Sequence, residues 1–307
     1  MRILIVGAGA TGGYFGACLA AAGRDVTFLV RPRRAAELAA GGLQILSPSG
    51  DWTIRPKLVL GPEIAGAFDL VLLTVKAHAL AGALDDIGPA MGPDTVLFPI
   101  LNGMRHIDLL VERFGDLVIG GVCKVATMLD GSGRIRQLAP GQELTFGELS
   151  GGASARIAAI DAALQGCGFT ARATPDILQA MWDKWIMLAA LGALTCLMRG
   201  TVGEIAAAPG GPAVAAALVG ETAAVATAAG HPPADAYVAA TRAMLTAAGS
   251  PMTSSLYRDQ QAGLPLEADH VLGDLLARAR GFGLATPLLD AAAVSLAVHA
   301  RRTAPGA

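Results

Sequence analysis

The chain opens on a strand-length apolar run, Arg2–Val6, followed without a break by Gly7-Ala8-Gly9-Ala10-Thr11-Gly12. An Ala- and Leu-rich stretch, residues 14–22, reads as a helix that stops near Gly23, and a second apolar run over 25–30 completes a β-α-β unit. A G-x-G-x-x-G spacing acquires meaning only in this setting, behind a strand and ahead of a helix. Gly7 then permits the tight turn, Gly9 lets backbone approach a diphosphate, and Gly12 lets helix and strand pack closely. The diphosphate would lie against the free N–H groups and positive end of the new helix. All six residues, Gly7, Ala8, Gly9, Ala10, Thr11 and Gly12, are therefore candidate dinucleotide-binding positions.

The end of the second strand selects among dinucleotides. NAD-binding units place an acid there for the ribose 2′-hydroxyl. This chain has Arg31-Pro32-Arg33-Arg34 instead. A guanidinium can grip a 2′-phosphate bidentately where a carboxylate would repel it. Arg31 is the candidate, and NADP the expected cofactor.

The 307 residues suffice for two domains with a sizeable core. A net charge of −2 with 16% charged residues gives no reason to expect nucleic acid or an anionic membrane as partner. The longest uncharged apolar stretch, 185–198, has 14 residues and falls short of the ~20 a spanning helix needs. The first residues lack the pattern of a secretory leader. Cys18, Cys123, Cys167 and Cys196 show neither metal nor redox spacing, and reduced thiols in a cytoplasmic protein are expected, without a metal.

Past the first β-α-β, residues 33–40 read as a short helix and 41–56 as a hairpin around Ser47-Pro48-Ser49-Gly50. Residues 69–75 and 95–101 are continuous apolar runs of the kind buried in parallel sheets. They end at Lys76 and at Asn102-Gly103-Met104. Ligands of open α/β sheets lie beyond the carboxyl ends of the strands, which makes Lys76 and Asn102 candidate cofactor contacts. A helix is expected over 107–114 and another strand over 117–121, and short polar strands within 131–149 should close the sheet antiparallel. After a helix at 154–166 and a composition change near 171–175, only helices are expected: 176–198, 202–208, 212–229, 234–247, 266–281 and 287–300, with a frayed tail from Arg301. The expected architecture is α/β: a Rossmann-type, mostly parallel sheet over 1–172, then an all-helical substrate domain over 173–307.

Charges are few in the helical half. Lys184 stands between Trp182 and Trp185 at the start of a very apolar helix. Desolvation there lowers a lysine's proton affinity and suits it to proton transfer. Alternatively it snorkels to solvent or pairs with Asp183 or Asp176. The residues alone leave both readings open.

Gly7-Ala8-Gly9-Ala10-Thr11-Gly12, Arg31, Thr74-Val75-Lys76-Ala77, Asn102-Gly103-Met104, Trp182-Asp183-Lys184, Ser254-Ser255 and Glu267, taken together, resemble the ketopantoate reductase (2-dehydropantoate 2-reductase) family across the whole chain. The resemblance implies NADPH-dependent reduction of a 2-oxo acid to the 2-hydroxy acid, with Lys184 as proton donor. It places Ser255 on the substrate with Ser254 nearby, Glu267 near the nicotinamide ribose, and Lys76, Asn102 and Ala126 against the cofactor. One departure bears on substrate. Where members that reduce ketopantoate carry asparagines, this chain has Leu188, Gly192 and Val202, or Thr201 if the register slips by one. Leu188, Leu191 and Thr195 share the helical face of Lys184. A 2-oxo acid with an apolar side chain is therefore expected, with Thr195, Ser255 or Arg199 supplying polar contacts. The competing readings are a D-2-hydroxyacid dehydrogenase of the same superfamily and a non-catalytic NADP-binding regulatory protein. The apolar helices could also join two copies as a homodimer.

Overall fold

The computed structural model describes residues 1–303. Two compact units emerge: Met1–Leu101 with His106–Leu178, and Asn102–Arg105 with the chain from Gln179 onward.

The first unit is built on five parallel strands, β1 (Arg2–Val6), β2 (Asp25–Leu29), β5 (Lys57–Val59), β6 (Leu70–Leu73) and β7 (Val96–Pro99), in the order β5-β2-β1-β6-β7. Alternation along β1 explains why its run is apolar throughout. Ile3 and Ile5 enter one core with Phe15, Leu19 and Phe28, while Leu4 and Val6 enter a second with Leu80, Leu84 and Leu110. Each such side chain, fully buried, contributes about 1.5–3 kcal/mol relative to exposure. Helices α1 (Ala10–Ala21), α2 (Pro32–Gly41), α3 (Leu80–Asp86), α4 (Arg105–Phe114) and α5 (Ala155–Leu164) connect the strands. The chain leaves β1 toward β2 on one side and returns to β6 on the other. That reversal marks the edge of the sheet where ligands bind.

The short polar strands do not close this sheet as expected. β3 (Leu43–Leu46) and β4 (Trp52–Ile54) form the expected hairpin, but it is extended by β10 (Ile135–Gln137) and β9 (Thr127–Leu129) into a separate sheet. β8 (Gly120–Lys124), β11 (Glu143–Gly147) and β12 (Thr170–Ala173) make a third. Among the described residues a single bridge, Leu97 to Val118, continues the parallel array. A run of three to five residues carries too little periodicity to name its partner. The expected domain boundary at 172/173 falls within β12, which pairs with β11.

The second unit is helical: α6 (Ile177–Met198), α7 (Val202–Ala207), α8 (Gly211–Ala228), α9 (Asp235–Leu245), α10 (Ser255–Gln261), α11 (Asp274–Gly281) and α12 (Pro287–Thr303). α10 was not foreseen, because seven residues hold too few apolar repeats to register. The helix expected from 266 instead begins as a π-helical turn, Asp269–Gly273, that runs into α11. Helices α6 and α8 have the length and apolarity of a membrane-crossing segment; α6 is mostly buried within the protein and α8 less than half. The tail from Arg301 stays helical through Thr303, and its last four positions lie outside the described residues. The four cysteines are buried free thiols. Burial pushes the Cys196 thiol up to about 12.

Candidate active site

The three motif glycines meet three different demands. Gly7 sits at φ +98°, in the left-handed region, and a β-carbon there would come within 3.3 Å of Val75. At Gly12 a β-carbon would fall 1.9 Å from Thr74 Oγ1 and 2.4 Å from the Gly7 carbonyl oxygen. Thr74 clasps the turn by donating to Val6 O at 2.8 Å and Gly7 O at 3.1 Å. Gly9 differs: its backbone is extended and a β-carbon would meet nothing within 4 Å. The protein leaves open space over Gly9, as a ligand approaching the backbone requires. α1 starts there with no side-chain cap and no acid in its first turn, so Ala10, Thr11 and Gly12 present backbone N–H groups to an anion. These residues fit the diphosphate of a dinucleotide.

The arginine cluster resolves into three roles. Arg34 is half-buried and structural: Nε donates to the Ala8 carbonyl at 3.2 Å, Nη2 to Gly133 O at 2.9 Å, and Nη1 pairs with Glu37. Exposed Arg33 pairs with the same Glu37 at 3.1 Å. Arg31 stands at the start of α2 without capping it, is exposed, and extends to within 3.8 Å of where a β-carbon at Gly82 would stand. It is the member of the cluster with no carboxylate bound to it among the described residues. Lys76 is exposed three residues past β6. Ala126 is half-buried between β8 and β9, and its carbonyl accepts from Leu138 N.

Lys184 lies half-buried in the second unit. Trp182 and Trp185 beside it are buried, their rings 4.9 Å apart, and the Arg278 guanidinium lies over both. The Trp185 indole donates to the Val271 carbonyl at 2.8 Å. That carbonyl belongs to the π-helical turn, whose i→i+5 spacing leaves carbonyls for outside donors. Half-buried Glu267 immediately precedes the turn, and its carbonyl accepts from His270 N and Val271 N. Gly103, at φ +78°, packs here as well: a β-carbon would lie 2.4 Å from His270 O and 3.8 Å from Trp185 Nε1. The Asn102-Gly103 loop, the turn after Glu267 and the Lys184-Trp185 segment thus meet within one unit. The strand-end argument points to Asn102 and the family resemblance to Glu267, and neither shows that the two share a neighbourhood. His270 is held below the usual imidazole range by burial and by the Arg105 charge, partly offset by Glu267, Asp274 and Asp269.

Farther along α6, Thr195 and Ser254 are both buried. Thr195 donates its proton to Leu191 O at 2.7 Å, so the 2.8 Å contact with Ser254 must use the Ser254 proton. Ser254 also caps α10 by accepting from Tyr257 N. Both hydroxyl protons are therefore committed within the protein, which leaves exposed Ser255 as the hydroxyl of this group open to a ligand. Thr201 caps α7 in a reciprocal pair with Glu204, and Val202 is fully buried. Arg199 is exposed in the left-handed conformation (φ 56°) that ends α6, and its carbonyl accepts from Tyr257 Oη. Leu188 is half-buried, and Leu256 fills the space beside Gly192, 3.6 Å from where a β-carbon would be. Arg258, half-buried on the face of α10 that carries Ser255, is not among the residues read from the sequence.

Two family models match the chain: "Ketopantoate reductase PanE/ApbA" over residues 3–151 and "Ketopantoate reductase PanE/ApbA C terminal" over 176–299. "Uncharacterized oxidoreductase YkpB" of Bacillus subtilis is 34% identical over 300 residues, covering 97% of this chain and 99% of its own. The "2-dehydropantoate 2-reductase" of Mesorhizobium japonicum is 28% identical and covers 95% of each chain. Among solved structures, 2-dehydropantoate 2-reductase from Geobacter metallireducens superposes with TM-score 0.88 at 30% identity, covering 97% and 99% of the two chains. A ternary structure of D-mandelate dehydrogenase with NADH and anilino(oxo)acetate superposes with TM-score 0.87 over 99% of both chains; at 23% identity it speaks for the fold.

Proposed function

The chain belongs to the ketopantoate reductase family, and on that premise we propose that it reduces a 2-oxo acid to the 2-hydroxy acid with NADPH. The observation that carries this is Lys184, half-buried on the segment of the two buried, mutually tilted tryptophans and in the same small neighbourhood as Asn102 and Glu267. When bound, the nicotinamide supplies the hydride that reduces the ketone carbon. Gly9 and the first turn of α1 would hold the diphosphate, Arg31 the 2′-phosphate, and Lys76, Asn102, Ala126 and Glu267 the remaining groups. Lys184 gives its proton to the oxygen that becomes the hydroxyl, and until then its charge stabilises the developing alkoxide. Excluding water around the tryptophan pair strengthens that electrostatic contribution.

Substrate choice follows from the apolar wall. Leu188, and Leu256 seated over Gly192, favour a compact aliphatic side chain over one bearing a hydroxyl. A buried, unpaired substrate hydroxyl costs about 1–3 kcal/mol. 2-Oxoisovalerate should accordingly outperform 2-dehydropantoate. A cytoplasmic enzyme with a small-molecule partner, not nucleic acid or membrane, fits the same reading. The test is NADPH oxidation with a panel of 2-oxo acids, in the parent and in Lys184→Ala. Turnover that falls about 100-fold or more in the variant supports the assignment. If the parent turns over no acid, or Lys184→Ala matches it, the assignment fails. The D-mandelate dehydrogenase structure was solved with NADH; a lower KM for NADH than for NADPH would favour a dehydrogenase of that kind here.

A further inference from the structure

Ser255 and Arg258 lie three residues apart on α10 and so share a face of that helix. Leu256 and Gln260, both buried, hold the opposite face down, and Ser254 ties the helix start to Thr195. The Arg258 side chain is half-buried, and Nη1 donates to the Thr253 carbonyl at 3.0 Å and its hydroxyl at 3.3 Å. Nε and Nη2 have no hydrogen bond to the described residues, and Asp259 acts on the group only through its charge. Burial lowers its proton affinity, as expected of a cation short of counter-charge. Two other arginines of this unit differ: Arg278 is paired with Asp274 and Arg280 with Asp290. A partly desolvated guanidinium with two unused donors in a planar fork matches a carboxylate.

We propose that Arg258 receives the carboxylate of the substrate, with Ser255 beside it, and so restricts the enzyme to 2-oxo acids over neutral ketones. The proposal rests on the 2-oxo acid reading above and adds its anion anchor. The Thr253 contacts hold one arm of the fork in place and leave Nε and Nη2 to receive the carboxylate. Arg258 touches the carboxylate, not the carbon being reduced, so its loss should act mainly on KM.

The test compares 2-oxoisovalerate with its methyl ester in the parent, Arg258→Gln and Arg258→Lys, using NADPH. In Arg258→Gln the KM for the acid should rise about 10- to 100-fold while the KM for the ester stays unchanged. Arg258→Lys, with the charge but not the fork, should fall between. NADPH affinity and the thermal midpoint should match the parent in both. If Arg258→Gln does not unfold cooperatively, the acid-to-ester ratio of Arg258→Lys decides. A parent that reduces the acid, with an acid-to-ester preference unchanged by these substitutions, overturns the anchor and leaves the reductase reading standing. A parent that reduces no 2-oxo acid overturns the reductase reading, and the anchor with it.

Discussion

Alanine placed at Gly12 and at Gly9, one at a time, separates packing from ligand approach. At Gly12 the new methyl would stand 1.9 Å from Thr74 Oγ1 and 2.4 Å from Gly7 O. Neither neighbour yields cheaply, since the carbonyl belongs to the turn and the hydroxyl is shared between Val6 O and Gly7 O. Rotating Thr74 away loses a hydrogen bond worth about 0.5–1.5 kcal/mol. Overpacking adds about 1–3 kcal/mol. Alanine's better helix propensity returns about 0.5–1 kcal/mol, so the net loss should be about 0.5–4 kcal/mol. Gly9 is the control. Its φ of −82° and ψ of −166° suit any residue, and nothing lies within 4 Å of the added carbon. Its stability should therefore change by less than about 0.5 kcal/mol, whereas a methyl in the path of a diphosphate should weaken NADPH about tenfold or more. Urea midpoints measure the first quantity and fluorescence titration with NADPH the second. A Gly9→Ala protein that binds NADPH like the parent would refute the cradle, and a Gly12→Ala protein with the parental midpoint would refute the clash.

Replacing Arg31 with Ser should raise the KM for NADPH about 10- to 100-fold and leave that for NADH nearly unchanged; equal losses with both cofactors would show that Arg31 does not meet the 2′-phosphate. Thr195→Val strands the buried Ser254 proton and should cost about 1–3 kcal/mol in urea unfolding while substrate KM moves less than about threefold; a large KM effect with intact stability would return Thr195 to the substrate. His270 has its pKa lowered on folding, so the native protein binds fewer protons than the unfolded chain near pH 6. Its stability contribution is full above the unfolded value of about 6.5 and is lost as pH falls toward the folded value. Urea midpoints at pH 7.5, 6.0 and 5.0 should show a shallower decline in His270→Gln than in the parent, and parallel declines would dismiss the effect.

Much of this protein was legible in its sequence because the signals were local. A strand, a glycine turn and a helix occupy the first twenty-odd positions and need no distant partner to be recognised. The helical half announces itself by apolar repeats and Gly-Pro joints, whereas the residues around Lys184 left its role open between proton transfer and a solvated or paired lysine. The arginine cluster supplied the chemistry for a 2′-phosphate and Arg31 as its candidate, but not the roles of its neighbours. Arg34 turned out to be bound to Ala8 O and Gly133 O, and that second partner lies 99 positions away.

What tertiary structure alone decided involves groups whose choice of partner is made across long separations. Residues 131–149 divide between two small sheets because hydrogen-bonding edges, not side-chain patterns, determine which short strands pair. Ser254 donates to Thr195 across 59 positions while Thr195 donates to Leu191 O, which turns two candidate donors into one buried strut and leaves Ser255 exposed. The Asn102-Gly103 loop joins the helical unit because Gly103 can press its bare α-carbon against the His270 carbonyl. Local sequence sets which conformations each segment prefers. Which polar groups remain for a ligand depends on which others have already been satisfied within the fold, and that follows from the whole chain being packed.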